Sequence, residues 1–207
     1  MQLRLTTGLT SEEYVEQKVW LSASLARCPL HSEGGCGFAR HTPYERMEPP
    51  GAFVARHYCH KGHTTFSLLP DCLASRLSST MADVEAVVSA ASDTGATRET
   101  VAQRLRPELG TQGALRWMRR RVGAVVAALL ALKGLRSDLF AGVQPNIDDF
   151  RRALGVERVL PHLRELAGAQ LAALPPPVGF GPRAASGDTG RRRAQQGTGA
   201  DPPNARA

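Results

Sequence analysis

The chain has 207 residues, a formal net charge of +7 and an isoelectric point near 9.8. Aromatic residues make up only 5% of it, which argues against one large, densely packed core and for small modules that need extra staples. The basic balance favours a polyanionic partner and says nothing about fold.

In chain order, residues 10–26 read as a helix: Thr10 and Glu13 form a capping-box pair, and Tyr14, Leu21 and Leu25 can share a face. Glu12, Glu13, Glu16 and Lys18 leave no apolar signal region near the start. The apolar run at 122–132 is too short to span a bilayer. The expected setting is a reducing cytoplasm, with no membrane partner. In a reducing compartment, paired Cys and His bind metal more often than they form disulfides.

From 28 to 69 the composition shifts to Gly, Pro, Cys, His and short β-prone runs. Strands are expected at 38–46, 52–58 and 64–69, the first two joined by the turn signal Glu48-Pro49-Pro50-Gly51. Cys28-x2-His31 opens this stretch and Cys59-x3-His63 follows the second strand. Two turns offering two ligands each suit tetrahedral zinc, and the hairpin between them brings the turns together. The predicted ligands are Cys28, His31, Cys59 and His63. Cys36 is a rival thiol, and His41, His57 and His60 are further candidates. Four protein ligands leave no open position on the ion, so a closed structural Zn2+ is expected.

Beyond Pro70 the pattern is helical. Short helices are expected at 71–77, with Cys72 as a buried apolar thiol, at 81–91 behind Thr80, and at 97–105 behind Thr97. Thr111 is the expected cap of a long helix at 111–133, in which Leu115, Met118, Val122, Val125, Leu129 and Leu132 step by three and four to make one apolar stripe. Further helices are expected at 146–154, behind Asn146, and at 156–173. Pro175-Pro176-Pro177 is the expected end of the ordered part. Residues 181–207 carry no aliphatic side chain larger than Ala and no aromatic, so they read as a disordered basic tail.

The fold class is therefore α+β, mostly α. A 1–27 N-terminal helix precedes a small three-stranded zinc ribbon at 28–70. A helix-turn-helix-like region at 71–135, C-terminal helices at 136–178 and a basic tail at 179–207 follow. Three consecutive helices ending in a long basic one match the order in which a recognition helix enters the major groove. Gln112 and Arg116 can reach base edges, and Arg119, Arg120 and Arg121 can meet phosphates.

The run CPLH…GCGFARHTPYER…ARHYCHKGHTTFSLLPDCLASRL resembles the N-terminal zinc ribbon of bacterial insertion-sequence transposases and their uncharacterised relatives. GALRWMRRR is similar to the Arg-Trp-x-x-Arg stretch of their helix-turn-helix, and the likeness covers about residues 28–122. It implies zinc at Cys28, His31, Cys59 and His63. This chain departs from the pattern by carrying His as the second ligand of each pair, by a longer second turn, and by Thr42-Pro43 at the strand turn.

Strand transfer in that family needs three spaced carboxylates on a β-rich domain, and no strand pattern follows residue 80. The expectation is a non-enzymatic, transposase-related DNA-binding protein. Its partners would be duplex DNA, a catalytic transposase subunit and a second copy of the chain. The competing class is an interaction or dimerisation module with the Leu115–Leu132 stripe as its seam. A third is an enzyme completed only in an oligomer.

Overall fold

The computed structural model describes residues 1–93 and 95–181. It is α+β, and a four-stranded sheet carries the first half of the chain. The strands are β1 (Gln2–Leu5), β2 (Ala39–Glu45), β3 (Phe53–Cys59) and β4 (Thr64–Pro70), in the order β1-β4-β3-β2. The three strands expected from the sequence form an antiparallel meander. β1 adds a fourth, pairing parallel to β4 with Leu3 opposite Leu68.

Alternation along the strands gives the sheet two unlike faces. One carries Leu3, Ala55, Phe66 and Leu68 and is covered by the N-terminal segment through Tyr14, Trp20 and Ala23. That segment is not the expected helix over 10–26. Helix α1 is Ser11–Glu16, with the predicted Thr10–Glu13 capping box, and Lys18 then takes a left-handed conformation (φ 48°). A continuous helix would keep Trp20 out of the Tyr14–Phe53 cluster. The break lets its ring sit 5.6 Å from Tyr14 and 5.4 Å from Phe53.

No helix forms at 71–77. Asp71 pairs instead with Arg4, Nε to Oδ1 at 2.7 Å, and Leu73 bridges to Thr80. Cys72 is half-buried rather than fully buried. The later helices are α2 (Met81–Ser92), α3 (Arg98–Leu105), α4 (Gly110–Leu135), α5 (Ser137–Phe140), α6 (Ile147–Leu154) and α7 (Val159–Leu166). Thr80, Thr97 and Asn146 cap α2, α3 and α6 as expected. Thr111 does not cap α4, which starts one residue earlier; its hydroxyl donates to Gln103 Oε1 at 3.0 Å.

The second half of α4 is the axis of the main core. Val125, Leu129 and Leu132 meet Val84 and Val88 of α2, Phe150 of α6 and Leu160 and Leu163 of α7. The apolar stripe is therefore consumed within the chain, and it does not form an intermolecular seam. Order also continues past the three prolines: Val178 is buried and Phe180 N–H donates to Leu171 O at 2.7 Å. Of the tail expected over 179–207, residues 179–181 are instead held by backbone hydrogen bonds to Pro175, Leu171 and Leu174, and 182–207 lie outside the described residues. Among the described residues, no helix is long and apolar enough to cross a membrane.

Candidate metal centre and basic helix face

Cys28, His31, Cys36 and Cys59 converge where the N-terminal loops meet the tip of the β3–β4 hairpin. Their ligand atoms all lie within 4.8 Å of one another. His31 Nδ1 is 3.6 Å from Cys28 Sγ and 3.3 Å from Cys59 Sγ. Tetrahedral zinc with bonds of about 2.0–2.3 Å spaces its ligands by roughly 3.5–3.8 Å, so these atoms are close enough to coordinate one metal ion. All three sulfurs belong to buried residues, walled by Phe66, Phe38, Leu3 and Leu25.

The rival thiol Cys36 is thus in the cluster and the predicted ligand His63 is outside it. Both outcomes have local causes. Gly34 and Gly35 adopt left-handed backbone (φ 83° and 68°), which turns the chain back after His31. Lys61 N–H then donates to Cys36 O at 3.1 Å, tying that loop to the second turn. His63 fails through the backbone of the turn: it precedes β4 in a left-handed conformation (φ 44°) and its N–H donates to His60 O at 3.3 Å, so its ring goes to the Tyr58 face. There its Nδ1 lies 3.4 Å from the Tyr58 hydroxyl.

The turn also prepares the sulfurs for metal. Gly62 N–H donates to Cys59 Sγ at 3.2 Å. A Cβ on Gly62 would meet Leu30 Cδ1 at 3.0 Å, Cys59 Sγ at 3.3 Å and His31 Cε1 at 3.4 Å, so only glycine leaves the ligands undisturbed. Burial opposes ionisation of Cys28, but bonds from the His31 ring and from the Leu30 and His31 backbone outweigh it and pull the thiol down to about 6. Cys36 shifts upward, through burial and the neighbouring Cys28 and Cys59 sulfurs. Three thiols crowded this closely cannot all ionise without a cation among them.

The other histidines are elsewhere. His57 is buried, stacks on Phe38 at 5.3 Å, and is held below its ordinary pKa by burial and by Arg40. His41 and His60 are exposed.

The second candidate site is the first half of α4. Ala114, Leu115 and Met118 point inward onto Val87 of α2 and Val101 and Ala102 of α3. Gln112, Arg116, Arg119 and Arg120 are exposed on the opposite side, as the periodicity requires. Arg121, grouped with them from the sequence, is not. It is 4% exposed, its Nη2 donates to Ser79 Oγ at 2.8 Å, and its guanidinium lies 4.0 Å from the Trp117 ring. It follows Arg120 by about 100° around the helix, which carries it to the flank of the apolar stripe. Burial pushes it down to about 10. Arg106 covers the same indole at 5.1 Å, so Trp117 is held between two cations.

Comparison with protein-family models, with curated proteins and with solved structures found no match to this chain.

Proposed function

We propose that the chain is a zinc-stabilised DNA-binding protein of mobile-element type, related to transposases but without their strand-transfer domain, and that it holds duplex DNA with the first half of α4. One observation carries the reading. Gln112, Arg116, Arg119 and Arg120 are presented to solvent together, while Ala114, Leu115 and Met118 fix the same helix turns onto α2 and α3. A rigid three-helix support under a row of guanidinium groups suits major-groove binding, because Arg donates two parallel hydrogen bonds to guanine or phosphate.

The metal has a structural role in this reading. Cys28, His31, Cys36 and Cys59 would supply four ligands to one ion, which would leave no open position for water or substrate. When bound, zinc supplies cross-linking energy to loops at 22–37 that contain almost no regular structure. Catalysis on DNA falls to a separate transposase subunit.

The test is duplex binding at two salt concentrations. Arg116→Ala is expected to reduce discrimination between sequences by about 1–3 kcal/mol per lost base contact. Arg120→Ala should weaken all duplexes alike and flatten the logarithmic salt slope by about one unit. Equal, weak duplex binding by wild type and by the Arg116/Arg119/Arg120 triple Ala variant would overturn the proposal.

A further inference from the structure

The sheet face turned away from Tyr14 and Trp20 is not an ordinary solvated surface. Only its lower end is covered, where Val54 and Leu69 pack with Leu73. Tyr44 of β2 pairs with Val54 at the edge of that cover, and above it the same face carries His41 from β2, Arg56 and Tyr58 from β3, and Thr65 and Ser67 from β4, by the register of the pairs Arg56–Ser67, Tyr58–Thr65 and His41–Arg56. None of these six residues is acidic. The rings form a row: His41 lies 6.2 Å from Tyr58, and Tyr58 lies 4.9 Å from His60, edge to face. Arg56 stands 5.7 Å from the Tyr44 ring, with its Nε anchored to Thr42 O at 2.7 Å. A shallow groove of about 420 Å³, lined by Gln2, Tyr44, Arg56, Thr65, Ser67 and Arg76, runs beside the row.

Half-buried tyrosine rings and exposed imidazoles at strand spacing, next to an oriented guanidinium and two hydroxyls, have a chemical counterpart. Unpaired bases offer ring faces for stacking, and the backbone beside them offers phosphates. A duplex presents the phosphates but hides the ring faces. Arg56 complements a phosphate, and the rings select among polyanions.

We propose that this sheet face is a second nucleic-acid site, specific for single strands, in which bases stack on His41 and Tyr58 and a phosphate meets Arg56. It shares with the α4 reading only the class of partner, and the two sites have no residue in common. A protein that holds a duplex through α4 could use it to keep a melted or frayed strand nearby.

The experiment is fluorescence anisotropy of the full, metal-loaded chain with a labelled oligothymidylate roughly 12 nucleotides long, within the usual site size of a small fold, and in parallel with a duplex. Arg56→Gln and Tyr58→Leu are expected to weaken oligothymidylate binding about tenfold while duplex binding stays unchanged. Tyr58→Phe keeps the ring and should retain the affinity. Arg116→Ala and Arg120→Ala should show the reverse pattern. The proposal is overturned if wild type does not bind oligothymidylate at low salt, if Tyr58→Leu and Arg56→Gln bind it like wild type, or if they lose duplex and single strand equally. Oligothymidylate binding that depends on Tyr58, with no duplex binding at all, would instead retire the α4 proposal and leave this one standing.

Discussion

Replacing Arg121 separates the arginines that face solvent from the one that holds the fold. Arg121→Ala removes two buried methylenes, at about 0.8 kcal/mol each. It also removes a stacked cation on Trp117, at about 1–2 kcal/mol, and a charge-assisted hydrogen bond to Ser79, at about 1.5–3 kcal/mol. Against this stands relief: Arg121 Nε is buried without a partner, and deleting it returns about 1–3 kcal/mol. The net loss is about 3 kcal/mol, and at about 2–4 °C per kcal/mol for a chain of this size the melting temperature should fall by roughly 6–12 °C. Arg121→Met keeps the stem and an indole contact and drops the unpaired nitrogen, so it should lie within about 1 kcal/mol of wild type. Differential scanning calorimetry gives the stabilities, and duplex titration at two salt concentrations gives the binding. Arg121→Met should bind DNA as wild type does. If its salt slope drops by about one unit, as for an exposed phosphate contact, then Arg121 leaves Ser79 to meet DNA and its exclusion from the binding face is wrong.

Elemental analysis should find one zinc per chain; Cys36→Ala and Cys59→Ala should lose it, while His63→Ala retains it. The reverse result for Cys36 and His63 would restore the ligand set implied by the family resemblance. At high pH the buried acids work against the fold. Burial raises the Cys72 thiol to about 11 and raises Tyr14 as well. An unfolded cysteine ionises near about 8.5, so the unfolded chain releases its proton first and stability falls as pH rises from there toward the folded value. The urea midpoint should therefore drop between those limits, by less in Cys72→Ala than in wild type.

Helices with local signals were legible. Thr80, Thr97 and Asn146 announce α2, α3 and α6, and the three-four stepping from Leu115 to Leu132 announces α4 and its inward face. Elements defined by distant partners were not. β1 is four residues long, and its partner strand lies more than sixty positions away, so Gln2–Leu5 has no pattern of its own to read. The metal cluster was half legible. Cys28, His31 and Cys59 follow from turn spacing. Choosing Cys36 over His63 required the left-handed turn at His63, and the glycine pair at 34 and 35 was the available clue that the chain turns back there. Arg121 was misassigned because a run of three arginines looks uniform in sequence, although consecutive helical residues face directions about 100° apart.

The boundary read near residue 70 is bridged by several polar contacts, and this bears on what the metal stabilises. Arg46, at the end of β2, donates to Ala74 O and Leu77 O. Glu48 accepts from Ser79 Oγ at 3.3 Å and lies 3.6 Å from Arg106, so the β2–β3 hairpin touches the residues that clamp Trp117 of α4. Arg164 of α7 is fully buried and donates to Pro70 O, Asp71 O and Leu73 O on one side and to Pro177 O and Val178 O on the other. A guanidinium satisfied by five carbonyls and no carboxylate is costly to bury, and it is held only while both loops stay in place. Burial accordingly pushes it down to about 10. A metal held at Cys28, His31, Cys36 and Cys59 would anchor the tip of the β3–β4 hairpin, whose far end is Pro70. Through Pro70, Arg164 and the Glu48 contacts, that anchor would reach the helices that support the basic face. Such a metal would stabilise the whole sheet-and-helix body, and its removal should loosen α4 along with the loops that bind it.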